Sequence, residues 1–293
     1  MLRYLLEEGI FMFNHSNFKD IVNEIVIDIT KNHYTSYGIM LSKLSEMTGI
    51  PVQILQCYNN WYILDDTFYY FKDKYIFEEL FLSELAHECN VRCVDFFVAK
   101  ENKSLGVISK LYRENNKKYF MYSDFCRNFF NCVPDCLGSF RLASSIVFGE
   151  EKIDKLMDDV FNFISFDIFS GQCDREEYNL FFECSDDIVR IAPLCDNGFA
   201  FQKSYMYFSP FGQLDLEDEE KIRGNLPFIL SVEFKFYNKM ASMLDINVED
   251  ILKRMCDKYR INVSPLDKER ILSYFDCRKK SIERTLKLSN SRM

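Results

Sequence analysis

The chain has 293 residues, 48% of them hydrophobic and 16% aromatic, with only ten glycines and six prolines. That composition is enough to bury one large core or two modest ones, and it excludes collagen-like, low-complexity and linker-rich architectures. A formal net charge of -9 speaks against broad nucleic-acid binding, which needs lysine and arginine to neutralise phosphates. The N-terminal stretch carries Glu7 and Glu8 where a signal peptide needs an unbroken apolar core. No apolar run reaches the length that spans a bilayer. With eleven cysteines, the reading is a cytoplasmic protein with reduced thiols. Two C-x3-C pairs, Cys89/Cys93 and Cys132/Cys136, have a spacing that zinc sites tolerate, but buried thiols are the expected reading.

In chain order, residues 17–31 place Phe18, Ile21, Val22, Ile25 and Ile29 on one face, which predicts an amphipathic helix. A shorter helix is expected over 37–48, ended by Gly49 and Pro51. The texture then changes. VQILQCYNN, WYILDD and FYYFKDK are β-branched and aromatic, with turn residues Asn59-Asn60 and Asp65-Asp66 between them, the pattern of a small antiparallel meander. Residues 76–89 return to helical period, with Leu80, Leu82, Leu85 and Ala86 as the expected buried set. Residues 94–112 read as two strands joined by a turn at 102–104, followed by a crossover at 111–116. Residues 150–170 form a long amphipathic helix that runs straight into GQCDR, and residues 226–293 carry helical pattern almost throughout. The acidic run 214–221 reads as a solvated helix start. The expected architecture is α+β and two-lobed, with a small, mainly antiparallel sheet lobe over 51–112 and a larger, mostly helical lobe over 113–293. Residues 1–50 are expected to form a cap or to belong to the small lobe. The cleft between lobes is where a small molecule binds.

Two acid-bearing turns lie close together. Asp174 and Asn179 flank a tight loop in GQCDREEYN, and Asp196 sits in a DNG turn after IVRIAPL. A hairpin at 185–187 brings the strands beside them together. Hard oxygen ligands on rigid turns suit magnesium, whose shell is completed by phosphate and water. A further acid aimed at an incoming hydroxyl can orient it and take its proton, the division of labour in phosphoryl transfer. Lys72, inside an aromatic strand, can hold phosphates as a fixed charge. The helix that follows supplies Glu78, Glu79 and Glu84, any of which can hold that lysine. Taken singly these residues have plainer readings: Asp174 as a turn acid, Asp196-Asn197-Gly198 as a hairpin turn, Lys72 as a solvated strand residue, Glu79 and Glu84 as exposed helix residues.

The succession YYFK, FLSELAHECNV, VDFFVAKENKSLGVISKLY, GQCDREEYN and APLCDNG resembles the HipA-like serine/threonine kinase family, over roughly residues 60–290. The resemblance implies a protein-kinase-like fold that transfers phosphate from ATP with Mg2+. It implies Asp174 as the catalytic-loop acid, Asn179 and Asp196 as metal ligands, and Lys72 as the ATP-binding lysine, with Glu79 or Glu84 as its partner. Ile108 and Leu111 would line the adenine. A protein substrate or partner is implied, and a DNA-binding antitoxin partner by family resemblance only. One departure stands out. Residues 52–60, where the family carries a glycine-bearing phosphate loop, contain no glycine. Three readings remain open at that point: ATP held by Lys72 and metal alone, Asn59-Asn60 serving as the loop, or a pseudokinase that acts as a binding module. A small-molecule phosphotransferase would use the same turns.

Overall fold

The computed structural model describes residues 27–28, 42, 46, 61–64, 67–101, 104–110, 117–134, 136–172, 175, 179–198, 200–201, 206–209, 212–215 and 234–290. The small lobe is a five-stranded sheet built from β1 (Ile27–Asp28), β2 (Trp61–Leu64), β3 (Thr67–Lys72), β4 (Phe96–Glu101) and β5 (Ser104–Lys110). Its spatial order is β1-β4-β5-β3-β2. All neighbours are antiparallel except the short edge strand β1, which runs parallel to β4 with Ile27 opposite Ala99. A strand at 27–28 departs from the helix expected over 17–31. Ile25-Val26-Ile27 is a β-branched run, stiff at χ1 and well suited to an extended edge. Ser42 and Glu46 are helical, as expected, and the remainder of 1–60 lies outside the described residues.

Side chains directly opposite one another in a ladder share a face. Lys72 is opposite Val107, and Val107 opposite Val98, so these three point one way. Phe71 is opposite Ile108, and these point the other way. Helix α1 (Ile76–Glu88) packs on the Lys72 face, where Phe96, Val98 and Val107 join Phe77, Leu80 and Phe81 in the main core. The opposite face carries a separate cluster of Tyr62, Phe71, Ala99 and Ile108. Gly106 lies at the crossing of β5 with β3, where a Cβ would run into the Lys72 carbonyl and the Phe71 ring. No larger residue fits there without moving the strand that carries Lys72.

The larger lobe is organised on α4 (Glu150–Ser170), whose bounds match the expected helix. Before it come β6 (Lys118–Met121), α2 (Tyr122–Phe130) and α3 (Leu137–Phe148). After it come β7 (Phe181–Cys184), β8 (Val189–Ile191), the hairpin β9 (Met206–Ser209) and β10 (Gly212–Asp215), then α5 (Phe234–Ser242), a short 3-10 turn (Met243–Asp245), α6 (Val248–Tyr259) and α7 (Pro265–Asn290). The β7–β8 hairpin was expected; β6, which pairs with β7 to make a three-stranded sheet, was not. Leu214 and Asp215 lie in β10 rather than at a helix start, because Gly212 to Asp215 pair with Ser209 to Met206. Phe125 stacks on Phe182 at 4.2 Å and contacts Phe129, Phe130, Phe140 and Phe148, which ties α2 and α3 to this sheet.

The two lobes are tied by the main chain. Val94 N donates to Leu194 O at 2.9 Å and Leu194 N donates to Arg92 O at 2.8 Å, a backbone bridge between the chain after α1 and the chain after β8. The Arg92 guanidinium adds hydrogen bonds to both carboxylate oxygens of the buried Glu183 and to Ile191 O. Burial pushes the Glu183 carboxyl up, but the hydrogen bonds from Arg92 and Arg190 outweigh it and hold the group below its ordinary value. Among the described residues, no helix is long and apolar enough to cross a membrane.

Candidate active site

Lys72 ends β3 and faces α1. Its Nζ lies 2.5 Å from Glu79 Oε1 and 2.6 Å from Asp196 Oδ1. Glu79 sits in the first turn of α1, fully buried rather than exposed. Tyr75, in left-handed backbone with φ 56, turns the chain from β3 into that helix so tightly that Glu79 comes back over Lys72. Burial works against the Lys72 ammonium, but Glu79 and Asp196 outweigh it and hold its pKa above the ordinary lysine value.

Asp196 has φ 57, a strained region for a residue with a Cβ, and the turn is held from every side. Gln172 Nε2 donates to Asp196 O at 2.9 Å. Arg175 Nη1 donates to Cys195 O at 2.8 Å. Asn197 N donates to Glu79 Oε2 at 3.0 Å. A Cβ on Gly198 would lie 2.8 Å from the Tyr75 ring, so only glycine lets the turn approach the start of α1 this closely.

The loop that precedes the hairpin leaves α4 at Gly171, whose φ of 69 closes the helix with a hydrogen bond to Asp167 O. Arg175, one residue beyond Asp174, is fully buried. It pairs with both oxygens of the buried Asp167, at 2.9 and 3.0 Å, and donates to Asn197 Oδ1 at 2.9 Å. Asn179 is half-buried just before β7, and Asp196 follows β8 at the other end of the hairpin. Asp174 and Leu111 lie outside the described residues.

Two expected residues fall elsewhere. Glu84 pairs with Lys258 at 2.5 Å and accepts from Tyr259 at 3.1 Å, so it fastens α1 to α6 and does not meet Lys72. Residues five apart on a helix are about 140° apart around its axis, so Glu79 and Glu84 cannot serve one partner. Ile108 is fully buried on the sheet face opposite Lys72, in the cluster with Tyr62, Phe71 and Ala99, and it is Val107 and Ser109 of β5 that share the Lys72 face. The cysteines beside the site do no acid–base work. Burial pushes the Cys93 thiol to about 12 and Cys195 to about 11. Cys132 and Cys136 are exposed rather than buried, and no group of three or more histidine, cysteine, aspartate or glutamate side chains placed to hold a metal occurs among the described residues. Sequence reasoning passed over Arg175, Asp167, Asn197 and Gln172. The signal for Asp167 was present, an acid inside the apolar run FNFISFDIFS.

The donors near the turn fit a hard cation. The Asp196 side chain is 35% exposed and carries a carboxylate. Gln172 Oε1 beside it is buried with no hydrogen-bond partner. Amide and carboxylate oxygens are what magnesium accepts, and no thiolate competes.

Glu78, next to Glu79, is 2% exposed and its Oε2 has no hydrogen-bond partner. Burial raises its pKa to about 7, against a backbone hydrogen bond that lowers it, with Glu79 adding to the rise. Its folded value therefore exceeds its unfolded one. Between about pH 4.5 and 7 the folded chain binds more protons, so stability falls as pH rises through this window. Asp159, raised to about 6 mainly by burial, acts in the same direction. Glu78→Gln is expected to flatten most of the fall in thermal midpoint between pH 5 and 7.5, an effect on the order of 2–3 kcal/mol in the wild type.

The solved structure of the Helicobacter pylori proinflammatory kinase CtkA matches this chain with a TM-score of 0.54 over 90% of this chain and 99% of that one, at 13% identity. The chain has a two-lobed kinase fold. Within that fold, the sheet with α1 is the small lobe and the part built on α4 is the large one. The HipA of Shewanella oneidensis MR-1, solved in complex with HipB and operator DNA, is also similar, with a TM-score of 0.45, 10% identity, and 77% of this chain against 58% of that one. No family model matches the chain, and no curated protein matches it by sequence. At 13% identity the likeness to CtkA is one of fold.

Proposed function

We propose that the chain is an Mg-ATP-dependent phosphotransferase of the HipA-like kind that phosphorylates serine or threonine hydroxyls of a protein. The observation that carries this reading is Lys72, held at once by Glu79 from α1 and by Asp196 from the turn of the large lobe. An ammonium between two carboxylates at the meeting of the lobes is a prepared phosphate site. Incoming phosphate oxygens replace one carboxylate as its partner, while Glu79 keeps it in place. The small nucleotide-binding lobe is assigned to 51–112 and the catalytic lobe to 113–293, with 1–50 joined to the small lobe through β1.

In this reading Asp196 and Asn179 hold the metal, with oxygens suited to it. Bound magnesium supplies neutralisation of charge on the phosphate oxygens. Asp174 orients the attacking hydroxyl and takes its proton. The tie at residues 92–94 and 194 and the clamp around Arg175 keep these groups in register. The net charge of -9 favours a protein over a nucleic acid as partner. Every described cysteine is free, which supports a cytoplasmic location.

The test is intact mass after incubation of the purified chain with Mg-ATP and candidate acceptor protein, beside Asp174→Asn. Added phosphate in the wild type alone supports the reading. A pseudokinase, the reading favoured by the glycine-free residues 52–60, gives no added mass in either chain.

A further inference from the structure

Arg175 is the bulkiest fully buried side chain in the described structure, and a guanidinium cannot shed its charge to live there. Four of its hydrogen bonds go to two other segments of the chain. Two anchor it on Asp167 at the end of α4, one goes to the Cys195 carbonyl and one to the Asn197 side chain. Cys195 and Asn197 are the residues on either side of Asp196, and Arg175 itself is the chain neighbour of Asp174. Asn197 continues the line. Its backbone N–H reaches Glu79 Oε2, and Glu79 Oε1 reaches Lys72. Its side-chain Nδ2 donates to Cys93 Sγ at 3.4 Å, which aims the amide oxygen at Arg175.

We infer that Arg175 is the positioning residue of this site: one guanidinium fixes the loop bearing Asp174 and the turn bearing Asp196 at a set separation, and passes that setting to Lys72 through Asn197 and Glu79. The catalytic consequence rests on the kinase reading above; the clamp itself does not. A lysine cannot substitute. Its point charge satisfies Asp167 but lacks the planar fork that reaches two carboxylate oxygens, a carbonyl and an amide together.

The test is backbone hydrogen exchange on the full chain, without nucleotide or metal, for wild type, Arg175→Lys and Asn197→Ala. In Arg175→Lys, the amides of Gln172 and Asn197, bonded to Asp167 O and Glu79, are expected to exchange at least about tenfold faster while the middle of α4 and β7 keep their protection. In Asn197→Ala, which leaves the Asp167 pair intact, only the turn around Asp196 loosens. Wild-type protection at both amides in Arg175→Lys overturns the inference. If Arg175→Lys does not fold, Asn197→Ala decides: unchanged exchange around Asp196 overturns it. In the active chain, Arg175→Lys lowers kcat roughly 10–100-fold and raises the Mg2+ concentration for half-maximal rate, with the KM for ATP within a few-fold because Lys72 remains. A merely structural arginine would lower the thermal midpoint and the active fraction without moving that Mg2+ requirement. A wild type that transfers no phosphate sinks the kinase reading, and the exchange result still judges the clamp.

Discussion

Asp196→Asn is expected to cut the rate of phosphate incorporation from Mg-ATP on the order of 10³-fold. The replacement has the same shape and removes only charge. Asp196 is the large-lobe carboxylate at Lys72 and is 35% exposed, so its charge is open to a cation in solution. Lys72 keeps Glu79, which is fully buried, so the fold stands and the thermal midpoint moves little. Lys72→Met should be as damaging to the rate, and calorimetry should show weaker ATP binding. Glu84→Gln is the informative contrast. It lies on the same helix but faces Lys258 and Tyr259, and an ion pair this exposed is worth about 0–1 kcal/mol. Its rate should stay within a few-fold of wild type. An Asp196→Asn chain that retained its rate would remove the metal assignment and with it the proposed chemistry.

The second large effect is on stability. Phe81→Ala is expected to cost about 3–5 kcal/mol in denaturant unfolding. Phe81 is fully buried on α1, with ring centroids 5.7 Å from Phe77, 5.7 Å from Phe201 and 5.8 Å from Phe275. Phe275 in turn lies 5.0 Å from Phe169 at the end of α4. One aromatic column therefore joins α1, the chain just beyond the Asp196 turn, α7 and α4. Its loss leaves a cavity between the helix that carries Glu79 and the turn that carries Asp196, so activity should fall more steeply than stability alone dictates. Phe81→Leu keeps most of the volume and should cost about 1–1.5 kcal/mol. A loss below about 1 kcal/mol for the alanine variant would mean the column does not bear on α1.

What could be read from the sequence was what is local. The span of α4, the pairs β2–β3 and β4–β5, and the β7–β8 hairpin follow from apolar period and turn residues within short windows. The grouping of Lys72 with an acid of α1 was legible as a set of candidates. The choice among them was not, because it depends on how α1 is rotated on the sheet, and Tyr75 sets that by a left-handed turn that leaves no signature in a tyrosine. Ile108 shows the same limit. Its strand was legible, but which way it points depends on the register of β5 against β3, and a shift of one residue reverses every side chain. The pairing of β6 with β7 joins segments with α2, α3 and α4 between them, beyond the reach of any local pattern. Arg175 was visible only as part of a turn, since burial of a guanidinium depends on partners from two other segments, the end of α4 and the turn around Asp196.

The backbone bridge at Cys93 and Leu194 has a mechanical consequence. It acts as a fulcrum. With main-chain bonds on both sides of that point and Arg92 braced on Glu183, sliding of the small sheet along the large lobe is resisted there, and a relative movement of the two would take the form of a swing about it. Displacement in such a swing grows with the lever arm. Strand β4 starts beside the fulcrum and moves least, whereas β2, at the far edge of the β1-β4-β5-β3-β2 order, sweeps furthest. Glu79 and Asn197, bonded to each other at 3.0 Å and with the Asn197 amide on Cys93, sit beside that point, so their spacing is the least sensitive to such a movement.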